Sequence, residues 1–441
     1  MGILLKNAML VTCNSTREVL QGDILIDGST IKKIDQRLPA GDHSQIDLSG
    51  RVVIPGLIQS HIHLTQTLFR NLADDLELLD WLEQRIWPME MAHNEDSLRT
   101  AARLGLAELL LSGTTCILDM GNASHQEIIF EEMAASGIRG FSGKVMMDKG
   151  RHPYREETDA ILKECEALIR KWNGAAGGRL GYALAPRFVP SCSEELWDAV
   201  RRLSETNNLL VHTHASENRK EWQLVKETTG FSNVAFFEHH QLANRKLCLA
   251  HCIWVSPEEI ELLQRHQISV LHCPSANLKL GSGIAPIPVF WEQGITVGLG
   301  SDGAACNNNL DLFNEMRLAA LIQKPGAGVT STSAQKVFEA ATLGGAQALG
   351  LQDQIGSLEP GKKADLAVLD LNNFHSIPAD NIYSQIVYSA RAGDVQHVMI
   401  DGQWVVWERR IKMMEVDSLL QNSWREIKKL LERTKLLEQE G

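Results

Sequence analysis

Short apolar runs that end in polar residues recur through the middle of the chain, and amphipathic stretches separate them. Such runs are typical of strands buried on both faces, and the apolar spacing in residues 194–206 and 257–266 is typical of helices. This alternation predicts an α/β fold, a (β/α)8 barrel of the TIM type. The eight predicted strands are 57–61, 115–119, 140–146, 180–185, 209–214, 246–251, 268–272 and 295–301.

The two ends of the chain follow a different pattern. β-rich runs are joined by Asp27-Gly28 near one end and by Asp401-Gly402 near the other, and Asp-Gly is a strong signal for a hairpin. We therefore expect a small sandwich-like β domain built from both ends. The predicted division assigns 1–55 and 361–441 to this domain, the latter with a terminal amphipathic helix from about residue 416, and 56–360 to the barrel.

The composition mainly excludes certain classes of protein and of binding partner. Of 441 residues, 44% are hydrophobic and 22% are charged, which excludes disordered and collagen-like chains. The net charge of −12 argues against a nucleic acid or an anionic membrane as partner. No apolar run reaches the roughly 18 residues of a membrane span, and the N-terminus has no secretion pattern. Eight cysteines without a C-x-x-C pair are typical of a reduced, cytoplasmic protein.

Metal-competent side chains stand at the ends of several predicted strands. His61 and His63 follow the first strand, and strand alternation points them to the same side, about 6.5 Å apart. His214 ends the fifth strand and Asp302 follows the eighth. Because active sites of such barrels form where strands end, we expect these four residues to bind one divalent metal. Three nitrogens and one oxygen suit Zn²⁺, with Fe²⁺ as the alternative.

Several motifs occur together in the chain. They are Pro55-Gly56-Leu57 with His61-Ile62-His63, His214 with Glu217, His251, Ser301-Asp302, and the runs 275–283, 302–309 and 314–318. Together they resemble the amidohydrolase superfamily over nearly the whole chain, and within it the cytosine, guanine and adenosine deaminases and the triazine hydrolases. The last three runs look most like methylthioadenosine/S-adenosylhomocysteine/5′-deoxyadenosine deaminases. The resemblance also implies the split β domain.

The resemblance implies roles for the residues around the metal. A bound divalent cation lowers the pKa of its water toward about 7 and so provides a hydroxide nucleophile. Glu217 would take a proton from the water and deliver it to the ring nitrogen beside the attacked carbon. His251 would orient the attacking oxygen, and Asp302 would relay a proton to the departing amine. His212 is interpreted as a supporting or packing residue, and His272 as a residue that lines the site or packs in the core.

Two sets of residues point to different substrates. Trp81 and Glu90 match positions at which adenosine-type relatives hold the purine face and the ribose hydroxyls. Gln66 and Arg187 instead resemble the residues that hold the base edge in guanine deaminase. Adenosine-type relatives usually carry His at the position of Arg187, so this chain departs from their pattern there.

The substrate hypotheses follow from these residues. Lys144 and Arg151 come after the third strand, where relatives that bind a homocysteine tail place basic groups. The leading hypothesis is therefore release of ammonia from a 5′-modified adenosine. The alternatives are a free-base deaminase of the guanine, 8-oxoguanine or pterin type, and a triazine chlorohydrolase or aminohydrolase. The partner is then a small molecule, and the resemblance implies a homo-oligomer, either a dimer or a tetramer.

Overall fold

The computed structural model describes residues 2–150 and 155–440, with side chains as far as residue 435. Its strands form two sheets, a ten-stranded sheet from the middle of the chain and a nine-stranded sheet from both ends. The strands are β1 (Ile3–Val11), β2 (Val19–Asp27), β3 (Thr30–Asp35), β4 (Ser44–Asp47), β5 (Val52–Pro55), β6 (Leu57–His63), β7 (Thr114–Asp119), β8 (Arg139–Ser142), β9 (Val145–Met146), β10 (Leu180–Pro186), β11 (Leu210–Ala215), β12 (Leu247–His251), β13 (Ser269–His272), β14 (Val297–Leu299), β15 (Asp302–Gly303), β16 (Leu366–Leu369), β17 (Val395–Ile400), β18 (Gln403–Trp407) and β19 (Arg410–Ile411).

Helices α1 to α12 connect the barrel strands, and the remaining helices follow the last of them. They are α1 (Leu78–Trp81), α2 (Trp87–Met91), α3 (Glu95–Leu111), α4 (Gln126–Ser136), α5 (Thr158–Trp172), α6 (Ala175–Gly178), α7 (Glu194–Asn207), α8 (Arg219–Thr229), α9 (Asn233–His239), α10 (Pro257–Arg265), α11 (Pro274–Lys279), α12 (Ile287–Glu292), α13 (Ala304–Asn307), α14 (Leu312–Ile322), α15 (Lys324–Ala327), α16 (Ala334–Glu339), α17 (Gly345–Ala348), α18 (Ile382–Ser384) and α19 (Leu419–Glu440). Leu64–Phe69, Val189–Ser191 and Ala392–Asp394 form 3₁₀ turns, and Leu82–Ile86, Ala340–Gly344 and Gln385–Ser389 form π-helical turns.

The ten-stranded sheet is parallel and forms the barrel. Its order is β14-β13-β12-β11-β10-β8-β7-β6-β15, and β9 pairs with β10. β14 pairs with β13, whereas β15, which follows after only Gly300 and Ser301, pairs with β6. The same stretch of chain therefore joins both edges of the sheet. The predicted (β/α)8 barrel is confirmed.

Glycine interrupts two of the predicted strands. The strand predicted at 140–146 divides at Gly143, where a Cβ atom would lie 1.8 Å from the carbonyl oxygen of Ala183. The strand predicted at 295–301 ends at Leu299, and a Cβ atom on the next residue, Gly300, would lie 2.6 Å from the carbonyl oxygen of His61. The chain can therefore approach β6 closely. This approach lets Asp302 pair with Ile62, beside both histidines of β6.

The nine-stranded sheet takes strands from both ends, in the order β19-β18-β17-β16-β5-β1-β2-β3, with β4 paired to β1. Both predicted hairpins are present, β2 with β3 and β17 with β18. In the second hairpin, Asp401 and Gly402 both have positive φ, 52° and 76°, as a type I′ turn requires. The predicted small β domain from both ends is confirmed, while its exact boundaries at 55/56 and 360/361 stay a prediction.

Alternation along the central strands gives the β domain two buried faces. Val52 and Ile54 of β5 join the large core that extends into the barrel, whereas Val53 joins a small core within the β domain. The start of β3 is also tied to the loop before β16, because the Ile31 N–H donates to the Lys362 carbonyl oxygen at 2.8 Å.

The terminal segment forms helix α19, which packs against α2 and α3. Leu430 is buried there, and Arg433 Nε donates to the carbonyl oxygen of Ala92 at 2.6 Å. Leu420 and Trp424, two apolar residues of the predicted amphipathic helix, are 67% and 73% exposed. The buried face of the helix, which includes Leu419, Ser423 and Leu430, therefore excludes these two side chains. Among the described helices, none is both long and apolar enough to cross a membrane.

Candidate metal centre and active site

The carboxyl ends of the barrel strands carry the candidate metal ligands. His61 and His63 lie on β6, His214 lies on β11 and Asp302 begins β15. Because parallel strands of a barrel end at the same rim, these side chains converge. His61, His63 and Asp302 are buried, and His214 is partly buried. The structure brings the four predicted ligands together.

The distances between the ligand atoms match a small tetrahedral site. His63 Nε2 lies 3.2 Å from His214 Nε2, and Asp302 Oδ1 lies 3.3 Å from both His61 Nε2 and His63 Nε2. Four atoms bound tetrahedrally to a metal at about 2.1 Å stand about 3.4 Å apart, close to these distances. His61 Nε2 is buried and has no hydrogen-bond partner among the described residues, as expected of a lone pair kept for a metal. The residues therefore fit one divalent cation.

Charge at the cluster also suits a cation. Burial lowers the pKa of His61, His63 and His214, which favours the neutral imidazole that a metal ligand requires. Burial by itself would raise the pKa of Asp302, but His61 and the other histidines outweigh it and hold that pKa well below its usual range. The fourth ligand is therefore an anion.

Glu217 and His251 lie beside this cluster. Glu217 Oε2 is 3.4 Å from His251 Nε2, and the same nitrogen is 3.8 Å from Asp302 Oδ2. Burial, and then the charge of Asp302, raise the pKa of Glu217 well above its ordinary value. A carboxyl group with a raised pKa can both accept and donate a proton near neutral pH.

The backbone is strained where these side chains leave the strands. Ser216, His251, Cys252 and Asp302 have φ values of 52°, 73°, 48° and 62°, in the left-handed region that non-glycine residues rarely adopt. Each such residue costs on the order of 1–3 kcal/mol and persists because the surrounding structure holds it. Here Ser216 follows β11, His251 and Cys252 end and follow β12, and Asp302 begins β15, at the rim where the polar side chains converge.

The structure adds residues that the sequence reasoning did not assign. Glu221 Oε2 accepts a hydrogen bond from the backbone N–H of Glu217 at 3.1 Å, and Asn233 Nδ2 donates to Glu221 Oε1 at 3.0 Å. Asn277 Oδ1 lies 2.8 Å from His251 Nδ1 and fixes that ring. The signals available were the spacing of Glu221, four residues after Glu217, and the position of Asn277 within the run 275–283.

Gln66, Glu90 and Arg187, which the sequence assigned to competing substrates, form one buried network. Arg187 Nη1 donates to Glu90 Oε2 at 2.6 Å, and Arg187 Nη2 lies 3.4 Å from Glu90 Oε1. Gln66 Nε2 donates to the same Oε1 at 3.1 Å. Gln66 Oε1 is buried and has no hydrogen-bond partner in the described part of the chain.

A small cavity opens onto the metal cluster. Trp81 forms part of its apolar wall, and its indole Nε1–H is held by the carbonyl oxygen of Ala73 at 3.1 Å. The lining residues are His63, Gln66, Leu78, Trp81, Leu82, Arg187, Phe188, His214, Glu217, Glu221 and Asp302.

The remaining predicted residues lie elsewhere. Lys144 is fully buried, and its Nζ is paired with Glu156 at 2.9 Å and Glu164 at 3.0 Å, away from the described lining of the cavity. Arg151 lies outside the described residues. His272 ends β13 with neither ring nitrogen hydrogen-bonded to a described residue.

Comparison with known proteins agrees with this fold. Residues 52–405 match the model of the amidohydrolase family. The chain is 36% identical over 412 residues to a 5-methylthioadenosine/S-adenosylhomocysteine deaminase of Thermococcus onnurineus, covering 93% of this chain and 95% of the relative. It is 35% identical over 423 residues to a 5′-deoxyadenosine deaminase of Methanosarcina acetivorans, covering 96% of each.

A solved structure is similar over almost the same length. The crystal structure of an adenosine deaminase from Xanthomonas campestris with bound zinc superposes with a TM-score of 0.91 at 29% identity, covering 97% of this chain and 98% of that one. The barrel with its rim of histidines and one aspartate defines a metal-dependent hydrolase. This chain belongs to the amidohydrolase family.

Proposed function

We propose that this chain is a metal-dependent aminohydrolase that releases ammonia from a 5′-modified adenosine, such as 5′-deoxyadenosine, methylthioadenosine or S-adenosylhomocysteine. The observation that carries the proposal is the convergence of the metal-ligand cluster with Glu217 and His251 at one rim of the barrel. The names of relatives at 35% and 36% identity support the substrate class.

His61, His63, His214 and Asp302 would hold one divalent cation. Zn²⁺ is the metal that the N₃O donor set favours, with Fe²⁺ as the alternative. When bound there, the cation lowers the pKa of a water molecule and so supplies a nucleophile near neutral pH.

Glu217 performs the proton transfer in this proposal. Its carboxyl group takes a proton from water and donates it to the ring nitrogen beside the carbon that loses ammonia. Without this protonation, attack would leave negative charge on the ring. General acid–base catalysis of this kind contributes on the order of 10²–10⁴-fold. The short distance to His251 Nε2 supports the role, because both groups face the same space.

His251 and Asp302 complete the machinery. Asn277 holds His251 Nδ1, so that Nε2 points toward the space between Glu217 and Asp302 and can orient the attacking oxygen there. Asp302 Oδ1 faces the histidine ligands, which leaves Oδ2 to take the second proton of the attacking oxygen and pass it to the departing amine. Ammonia is a far better leaving group than amide ion, so this proton transfer is required.

The adenosine moiety would bind against Trp81, with ribose near the Gln66–Glu90 pair. Glu90 Oε2 accepts only from Arg187 Nη1 among the described residues, and Gln66 Oε1 has no described partner. One sugar hydroxyl can donate to each of these oxygens. Lys144 and Arg151 stay predicted contacts of a homocysteine carboxylate, although the two ion pairs of Lys144 favour a structural role for it.

The free-base alternative has less support. It requires Arg187 to hold an oxo group of the base, but this guanidinium is already paired with Glu90 at 2.6 Å. The triazine alternative uses the same metal ligands, so the ligand cluster does not distinguish it. Neither alternative accounts for the similarity to adenosine-type relatives over 93–96% of the chain.

Ammonia release from a substrate panel tests the proposal. The panel contains 5′-deoxyadenosine, methylthioadenosine, S-adenosylhomocysteine, guanine, 8-oxoguanine, isoxanthopterin and a chlorotriazine. We expect kcat/KM for at least one 5′-modified adenosine to exceed that for every other compound by about tenfold or more, which is about 1.4 kcal/mol of transition-state binding. A higher kcat/KM for a free base or the triazine would replace the proposed substrate class.

We also propose a cytoplasmic homo-oligomer, a dimer or tetramer, with no nucleic-acid partner. The eight cysteines are all buried free thiols, which fits a reducing compartment, and the net charge of −12 disfavours phosphate backbones. Light scattering coupled to gel filtration tests the oligomer, and a monomer at micromolar concentration would contradict it.

A further inference from the structure

His212 lies directly behind the metal ligand His61. It precedes His214 on β11 by two residues, so both side chains point to the same face of the strand. His212 Nε2 is 2.7 Å from His61 Nδ1, and the two ring planes stand at 83° to each other. Both rings are fully buried. A hydrogen bond therefore joins a metal ligand to a second histidine that does not face the ligand cluster.

The two nitrogens of His61 have different surroundings. Nε2 faces the other ligands, 3.3 Å from Asp302 Oδ1, whereas Nδ1 faces His212. A neutral imidazole has one nitrogen with a lone pair and one that carries a proton. Nε2 can bind a metal only when the proton is on Nδ1, and only an acceptor at His212 Nε2 stabilises that tautomer. If His212 donated the hydrogen bond instead, the proton of His61 would occupy the ligand nitrogen.

We propose that His212 is a positioning residue that accepts the hydrogen bond of His61 Nδ1–H and so keeps His61 Nε2 unprotonated and aimed at the metal. The proton of His212 then lies on Nδ1, which has no hydrogen-bond partner among the described residues. This tautomer leaves one buried donor unpaired, a cost that the hydrogen bond to His61 must offset. This inference rests on the proposed metal site.

His272 provides a matched control within the same barrel. It ends β13, is buried like His212, and neither of its ring nitrogens bonds a described residue. Replacing it removes a buried imidazole of the same size without removing a hydrogen bond to a metal ligand. A loss of Zn²⁺ affinity that reflects packing alone would therefore appear when either His212 or His272 is replaced.

Zn²⁺ affinity, measured by competition with a chromophoric chelator, tests the role of His212. We expect His212→Phe to bind Zn²⁺ about 10–100-fold more weakly than the wild type, as for other residues that support metal ligands. His212→Gln places an oxygen near the position of Nε2 and should stay within about threefold of the wild type, and His272→Phe should be unchanged. Circular dichroism of each metal-free variant reports its folding.

The outcomes separate this role from the metal site itself. A wild-type chain that binds no Zn²⁺ would overturn both. Wild-type affinity in a folded His212→Phe, or equal losses in His212→Phe and His272→Phe, would overturn the role of His212 alone. If His212→Phe does not fold, long-range ¹H–¹⁵N correlation spectra of the zinc-loaded wild type decide the question. A proton on Nδ1 of His61 supports the role, and a proton on Nε2 of that ring contradicts it.

Discussion

The two ends of the barrel each bury charged side chains, but the two clusters differ in how they are neutralised. At the amino end, Arg139 at the start of β8 forms a two-point ion pair with Asp365, with distances of 2.7 and 3.2 Å. Asp401 lies 3.3 Å from the same guanidinium. At the carboxyl end, His61 Nε2, His251 Nε2 and Gln66 Oε1 are buried without hydrogen-bond partners among the described residues.

The difference shows what each cluster is for. Arg139 ties the first part of the barrel to the residue that precedes β16, so the amino-end pair joins the barrel to the β domain and is complete by itself. The carboxyl-end cluster is incomplete without a ligand, and it collects strained residues as well. Buried polar groups without partners destabilise a fold, so the unpaired atoms beside the candidate metal ligands mark where a metal and a substrate bind.

Glu217→Gln should have the largest effect of these substitutions, a loss of turnover at the carboxyl-end site. Glutamine keeps the shape of the side chain but cannot transfer the proton, so we expect turnover to fall by about 10²–10⁴-fold with Zn²⁺ content unchanged. Steady-state ammonia release and metal analysis of the same preparation measure both quantities. Near-normal turnover would remove Glu217 from the mechanism.

Arg139→Met should affect the amino end and leave the metal site intact. It leaves Asp365 buried and unpaired, so we expect a loss of about 3–5 kcal/mol in the free energy of unfolding. Denaturant titration measures the loss, and Zn²⁺ affinity should not change. The double variant Arg139→Met/Asp365→Leu is the control, because it removes both charges and should recover much of the stability. An equal loss in single and double variants would show that the ion pair is not the cause.

Glu90→Gln should show whether Glu90 binds the sugar of the substrate or only pairs with Arg187. If Glu90 accepts a sugar hydroxyl, we expect kcat/KM for a 5′-modified adenosine to fall by about 10–100-fold, or 1.4–2.8 kcal/mol. Any turnover of a free base should change much less. Glu83→Gln, the same substitution at an exposed position of the same segment, is the control. Equal effects on nucleoside and free base would contradict the sugar contact.

Glu221→Gln should change the pH dependence of stability. Burial raises the pKa of Glu221 to about 8, above its ordinary value of 4.5. The folded state therefore holds a proton that the unfolded state releases, so stability falls as pH rises between these values, by at most about 1.4 kcal/mol per pH unit. Glutamine does not titrate, and the slope should flatten.

Urea titrations from pH 5 to 8 measure this slope. Glu227→Gln, at an exposed position of the same helix, should keep the wild-type slope. If Glu221→Gln also keeps it, the carboxyl group of Glu221 does not hold the extra proton in the folded chain.

Much of the fold was predictable because its signals are local. The Asp-Gly dipeptides predicted both hairpins of the β domain, and the apolar runs predicted each barrel strand to within a few residues. The interruptions at Gly143 and Gly300 were not predicted. They depend on the close approach of a neighbouring strand, which no pattern along one segment records.

The sequence alone determined which chemically active residues follow which strands. They are a His-x-His pair, a further histidine with a glutamate three residues later, and an aspartate after the last strand. Period-two alternation and the common direction of barrel strands were enough to predict that these side chains meet. Only the tertiary structure decided which polar atoms are already paired. Arg187 contacts Glu90 across 97 residues and His212 contacts His61 across 151, because barrel closure brings together side chains whose separation in sequence carries no signal.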